Sequence, residues 1–143
     1  MLEKTDKIWM DGKFVDWDKA KVHVLTHTLH YGLGVFEGIR FYETGKGPAV
    51  FRLKDHIKRL FHGAKCSFMK VPYTEDEIND AVLETIRKNK IKSGYIRPIL
   101  FYGYGKMGLD PSGAPVSASI AVWPWGAYLG EDAVKVKTSS FIR

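Results

Sequence analysis

The chain has 143 residues, 45% hydrophobic and 27% charged, a balance that suits one packed core and excludes an intrinsically disordered chain. It holds no apolar run of about 18 residues, its start MLEKTDKIWM lacks the apolar stretch and cleavage site of an export signal, and its single Cys66 excludes an intramolecular disulfide. A cytoplasmic protein without a membrane span is expected, and the net charge of +6, spread among interleaved acids and bases, argues for a solvated surface rather than a nucleic-acid or lipid partner.

In chain order, KIWMDGKFVDW sets two short alternating runs around Asp11-Gly12, a pair suited to the positive φ angles of a type I′ hairpin turn. KVHVL reads as a strand, and THTLHYGLG as a turn or short helical piece broken by Gly32 and Gly34. VFEGIRFYE resumes a strand pattern, followed after a glycine-rich turn by GKGPAVFRL. In DHIKRLFHGAKCSF, Ile57, Leu60, Phe61 and Ala64 recur at helical spacing. A second helix begins at Thr74, where TEDE forms a capping box with Glu77, and Ile78, Ala81, Val82 and Ile86 form its buried stripe. GYIRPILFYG, VSASIAVWPW and AVKVKTSSF then read as strands, the first two separated by the glycine- and proline-rich loop GYGKMGLDPSGAP. Strands, two main helices and more strands, without regular βαβ alternation, predict an α+β fold with a largely antiparallel sheet, in a single domain over 1–143.

His23, His27 and His30 fall at i, i+4 and i+7, a spacing at which a helix can hold a metal, but Val22 and Val24 favour a strand, no cysteine or carboxylate joins them, and no metal is expected. Tyr95, Phe101, Tyr102 and Tyr104 near Arg97 and Lys106 would suit a base-stacking platform, yet the residue order of an RNA-binding strand is absent, so sheet packing is the better reading. Arg59, on the polar flank of the first helix and next to Leu60, is either a solvated arginine or an inward-pointing clamp for a phosphate. Gly38, inside an otherwise regular strand, suggests a bulge or a group approaching the backbone closely. With Phe36 and Arg40 on the same face as Gly38, the strand offers an apolar wall, a gap and a cation in a row, the outline of a pocket for a small molecule with an apolar and an anionic end.

HTLHYGLGVFEGIRFYE, FRLKDHIKRLFHGAK, YIRPILFYG and WPWGAYLG resemble, in order and spacing, the N-terminal half of branched-chain amino acid aminotransferases, which are fold-type IV (class IV) pyridoxal phosphate enzymes. The resemblance runs from about Trp9 to Arg143. It implies that Arg59 binds the phosphate of pyridoxal 5′-phosphate, and that Tyr31, Phe36, Gly38, Arg40, Tyr95 and Arg97 line or support the substrate pocket. Phe36 would be the wall for a branched side chain and Arg97 the partner of glutamate's distal carboxylate. Met107, Gly108 and Leu109 resemble a loop that reaches a neighbouring subunit's site, and Trp125 and Tyr128 resemble further pocket residues. Branched-chain amino acids, glutamate and 2-oxo acids are the implied ligands, and a homodimer or higher homo-oligomer the implied assembly. The family's catalytic lysine belongs to a C-terminal domain expected after Arg143; Lys135 and Lys137 do not match it. The chain alone is therefore expected to hold no catalytic residue and to be inactive. D-amino acid aminotransferase and aminodeoxychorismate lyase are the nearest alternatives within the family, and a binding module without catalysis the alternative outside it.

Overall fold

Asp11 and Gly12 adopt φ angles of +46° and +83°, the left-handed pair required by a tight hairpin turn. They fold Lys7–Met10 (β1) back onto Lys13–Asp16 (β2), with Met10 opposite Lys13. After a single 3-10 turn at Trp17–Lys19, the remaining elements among the described residues are α1 (His27–Tyr31), β3 (Gly34–Phe36), β4 (Ile39–Thr44), β5 (Gly47–Val50), α2 (Leu53–Cys66), α3 (Glu75–Asn89), β6 (Gly94–Tyr102) and β7 (Val116–Trp123). The structure is a computed structural model and describes residues 2–125 and 135–138. One antiparallel sheet runs in the order β2-β1-β7-β6-β4-β5, with β3 also paired to β6, as expected for the α+β class.

The helices form where the apolar spacing places them. Ile57, Leu60 and Ala64 of α2 are buried and Phe61 is partly so. Thr74 caps α3: its Oγ1 accepts from the Glu77 N–H at 3.2 Å while Glu77 Oε2 accepts the Thr74 N–H at 2.7 Å. Ile78, Ala81, Val82 and Ile86 turn inward and meet Phe41, Ile96, Leu100, Ile120 and Val122 of the sheet in one core. Both helices pack on the same face of the sheet, α2 over β3 and β6 and α3 over β1 and β7. Among the described residues, no helix is long and apolar enough to cross a membrane.

β3 and β4 run along the same edge of β6 in one register, with Phe36 opposite Ile99 and Ile39 opposite Ile96. Equal spacing on both strands leaves no extra residue, so Glu37-Gly38 is a gap in the ladder and not a bulge. The gap faces Arg97-Pro98, and Pro98 has no N–H to donate. Glu37 still donates its own N–H to the Pro98 carbonyl at 3.1 Å.

Two expected strands are corrected. KVHVL is irregular: the Thr26 N–H turns back to the His23 carbonyl, and Val22 and Val24 stand exposed. Among the described residues no strand pairs with this run, and β-branched alternation alone does not make a strand. Within AVKVKTSSF, residues 135–138 have no regular structure, and the rest of that run lies outside the described residues.

Asn89, at the end of α3, accepts the Lys7 N–H at 2.8 Å and donates to the carbonyls of Lys7 at 2.9 Å and Thr85 at 2.8 Å, tying the helix to β1. Asn89→Ala leaves these backbone groups without their partner and is expected to cost about 2 kcal/mol. Urea unfolding should show a lower midpoint with little change in slope.

Candidate functional site

Period-two alternation divides β6 between two faces. Ile96, Pro98 and Leu100 are buried on the helix side, while Tyr95, Arg97 and Ile99 are half-buried on the other. Register brings Phe36 opposite Ile99 and Arg40 opposite Tyr95 on that open face, with Gly38 between them. The close approach suggested for Gly38 is present, because a Cβ built there would overlap the Tyr95 hydroxyl. Tyr95 is wedged against Trp123 and Trp125, with ring centroids 5.2 and 4.7 Å away. Its hydroxyl accepts from Arg97 Nη2 at 3.1 Å, and the Arg97 guanidinium lies 4.2 Å from the centroid of the Phe36 ring, a cation–π contact. Arg97 Nε is buried without a hydrogen-bond partner among the described residues. Arg40 lies over the ring of Tyr42 at 5.8 Å. Phe36, Gly38, Arg40, Tyr95, Arg97 and Trp125 thus form one group, an apolar wall with cations set into it.

Arg59 belongs to the other face. It stands on α2 with 68% of its side chain exposed, and its Nε and Nη2 donate to the two carboxylate oxygens of Glu37 at 2.5 and 2.7 Å. Glu37 has the inward parity of Ile39 and Phe41, and only 7% of its side chain is exposed. His56, one helical turn before Arg59, meets the same carboxylate through Nδ1 at 2.9 Å. A carboxylate only accepts, so His56 Nδ1 carries the proton. The hydrogen bond from Arg59 holds the Glu37 carboxyl below its ordinary value; burial opposes this and His56 adds to it. Arg59 is raised in turn, chiefly by the same hydrogen bond.

A third arrangement joins α1 to the loop after β6. His27, fully buried, donates Nε2–H to the Gly108 carbonyl at 2.9 Å, and the Gly108 N–H donates to the Tyr31 hydroxyl at 3.1 Å. The two rings pack together at 4.5 Å. Farther along the loop, Asp110 takes the Ser112 N–H at 2.9 Å and the Lys106 ammonium at 3.2 Å; Ser112 foremost, then Lys106, lowers its carboxyl to about 2. Met107 and Leu109 point outward from this braced backbone, Leu109 with 87% exposure. Among the described residues, no hydrogen bond or ring contact joins Tyr31 and residues 107–109 to Phe36, Gly38, Tyr95 or Arg97.

Tyr128 lies outside the described residues. The three histidines take separate partners: His23 packs on Tyr104 at 4.3 Å, His30 meets the Val24 carbonyl at 2.9 Å, and His27 holds Gly108. Among the described residues, no three His, Cys, Asp or Glu side chains converge as a metal site. Sequence reasoning overlooked Glu37 and His56, and weighed His27 only as a metal ligand or structural histidine. The signal for Glu37 was its parity, a charge at an inward position between Val35 and Ile39, which requires a buried partner.

The profile of the family described as amino-transferase class IV matches residues 34–143. The chain belongs to the class IV aminotransferases. It is 52% identical, over its whole length, to 48% of a Pseudomonas aeruginosa protein named branched-chain-amino-acid aminotransferase. Another of that name, from Escherichia coli K12, is 48% identical over 93% of the chain and 43% of its own length. The class IV chain thus spans about half the length of the curated relatives it matches. Among solved structures, Escherichia coli branched-chain amino acid aminotransferase superposes with a TM-score of 0.86 at 49% identity, over 90% of this chain and 42% of that one. A branched-chain amino acid aminotransferase from T.th., in a structure with pyridoxamine 5′-phosphate, superposes at 0.83 with 46% identity, over 85% of this chain and 41% of that one.

Two outcomes follow from this geometry. Because its folded value lies below the ordinary 4.5, Glu37 adds stability that is fully present above that value and is lost as pH falls through the lower folded one. Urea titrations from pH 7 to 3 should therefore show a steeper acid loss for the native chain than for Glu37→Gln. Gly38→Ala should push Tyr95 off Arg97, and the added methyl should be tolerated better once Tyr95 is alanine. A double-mutant cycle in stability is expected to give a coupling of at least about 1 kcal/mol between the two positions.

Proposed function

We propose that this chain is the substrate-binding part of a pyridoxal 5′-phosphate-dependent branched-chain amino acid aminotransferase. The complete protein moves the amino group of leucine, isoleucine or valine to 2-oxoglutarate in the cytoplasm. The observation that carries the reading is the stacked Phe36–Arg97 pair beside Tyr95, which sets an apolar surface and a cation at one place. A pocket that accepts an aliphatic side chain in one half-reaction and a carboxylate in the other needs both. An uncharged wall favours the branched chain by burial, and a carboxylate entering the same space is tolerated only when paired. Arg97 Nε, buried and without a partner among the described residues, has hydrogen-bonding capacity to spare for that purpose.

Arg59 fits the cofactor's phosphate. Glu37 occupies the Nε–Nη2 edge of its guanidinium, and the exposed end of the fork retains parallel N–H groups suited to an oxyanion. When bound, the cofactor supplies the electron withdrawal that lets the Cα proton of the amino acid move. The residues of this chain bind, orient and select: Arg59 holds the phosphate, Phe36 and Trp125 form the wall, Gly38, Arg40 and Tyr95 support the rim, and Arg97 takes the distal carboxylate. Tyr31 and the loop at Met107, Gly108 and Leu109, separate from that group in this chain, complete the site of another copy in a homodimer or larger assembly. The lysine that holds the cofactor lies in the part of the protein beyond these 143 residues.

Assays with leucine, isoleucine, valine and D-alanine test the class of substrate: the complete protein should form glutamate with the branched-chain L-amino acids and not with D-alanine, and the 143-residue chain alone should form none. Arg97→Ala should lower kcat/KM for glutamate about ten- to hundredfold, with a much smaller effect on leucine. Equal losses for both substrates would remove Arg97 from its proposed role.

A further inference from the structure

Glu37 is a carboxylate with 7% exposure lying beneath an arginine with 68% exposure, and nothing in substrate binding calls for it. A buried charge of this kind is costly unless fully paired. Among the described residues its partners come from α2: Arg59 Nε and Nη2 on separate oxygens at 2.5 and 2.7 Å, and His56 Nδ1 at 2.9 Å on the second oxygen. Arg59 Nη2 also lies 3.5 Å from His56 Nδ1, but both atoms carry protons once the histidine donates to Glu37, so this contact adds no hydrogen bond. The carboxylate is thus gripped from two directions, and it grips one full edge of the guanidinium.

We propose that Glu37, braced by His56, is a positioning residue that fixes the guanidinium of Arg59 so that its free end is already aimed when the cofactor's phosphate arrives. The inference rests on the reading of Arg59 as the phosphate ligand. Two effects of Glu37 on an anion oppose each other. Its negative charge repels phosphate, while its two hydrogen bonds remove the rotamer freedom that an exposed arginine would otherwise lose on binding. The Glu37 charge is already paired with the guanidinium that stands between it and the phosphate, which offsets the repulsion, so orientation is the larger effect. Strand parity supplies the anchor: Glu37 projects toward the helices because Phe36 and Gly38 project away from them.

The test uses the complete protein freed of cofactor and measures the affinities for pyridoxamine 5′-phosphate and for pyridoxamine, which lacks the phosphate. The ratio of the two affinities isolates the phosphate subsite, and pyridoxamine affinity reports an intact fold. Arg59→Gln should lower the ratio about a hundredfold and Glu37→Gln about tenfold, while Glu37→Gln in the Arg59→Gln background should change it no further. If Glu37→Gln misfolds and loses pyridoxamine as well, Glu37→Asp is read instead: it keeps the charge but withdraws the carboxylate by one methylene, and it should also lower the ratio. A ratio that stays the same or rises in the folded Glu37 variant, with Arg59→Gln still lowering it, overturns the positioning role alone. A ratio that Arg59→Gln leaves unchanged overturns the phosphate reading beneath it.

Discussion

The site depends on a register that survives an interruption. Pro98 has no amide hydrogen, so the ladder between β6 and the strand beside it breaks at Glu37-Gly38, yet Phe36 still faces Ile99 and Ile39 still faces Ile96. Had a residue been inserted there, every side chain beyond it would have changed face. Instead, Phe36, Gly38 and Arg40 stay on the open side, and Glu37, Ile39 and Phe41 stay beneath the helices. Six consecutive residues thereby build a wall of aromatic and cationic groups on one face and an arginine anchor on the other.

Much of this fold could be read locally. The Asp11-Gly12 hairpin, the α3 capping box and the apolar stripes of both long helices depend on residues within a few positions of one another, and each formed as its spacing predicts. The strand expected at KVHVL failed because a strand depends on a neighbour, and alternation carries no information about which edges are already paired. The site divides along the same line. Phe36, Gly38 and Arg40 could be grouped by strand periodicity. Glu37 and Arg59 are 22 residues apart and Tyr31 and Gly108 are 77 apart, so only the folded chain joins them.

For the same reason, Arg59 could not be distinguished from a solvated arginine by its own surroundings in the sequence. It is well exposed, as a solvated arginine would be. Its position is set by the buried acid below it, whose parity on the strand is the local trace of a long-range contact. In such a site the informative residue is the partner that is out of place, since an exposed arginine is ordinary and an inward-facing glutamate is not.

Gly108 is held at both of its main-chain polar groups, the carbonyl by His27 and the N–H by Tyr31. Met107 and Leu109 on either side carry no such ties through their side chains to the described residues. A main chain pinned at its midpoint, with unconstrained side chains flanking it, behaves as a fixed mount for exchangeable tips. Changes at positions 107 and 109 can therefore alter what the loop presents to a neighbour without moving its path, so the tips can diverge at two residues while the scaffold stays the same.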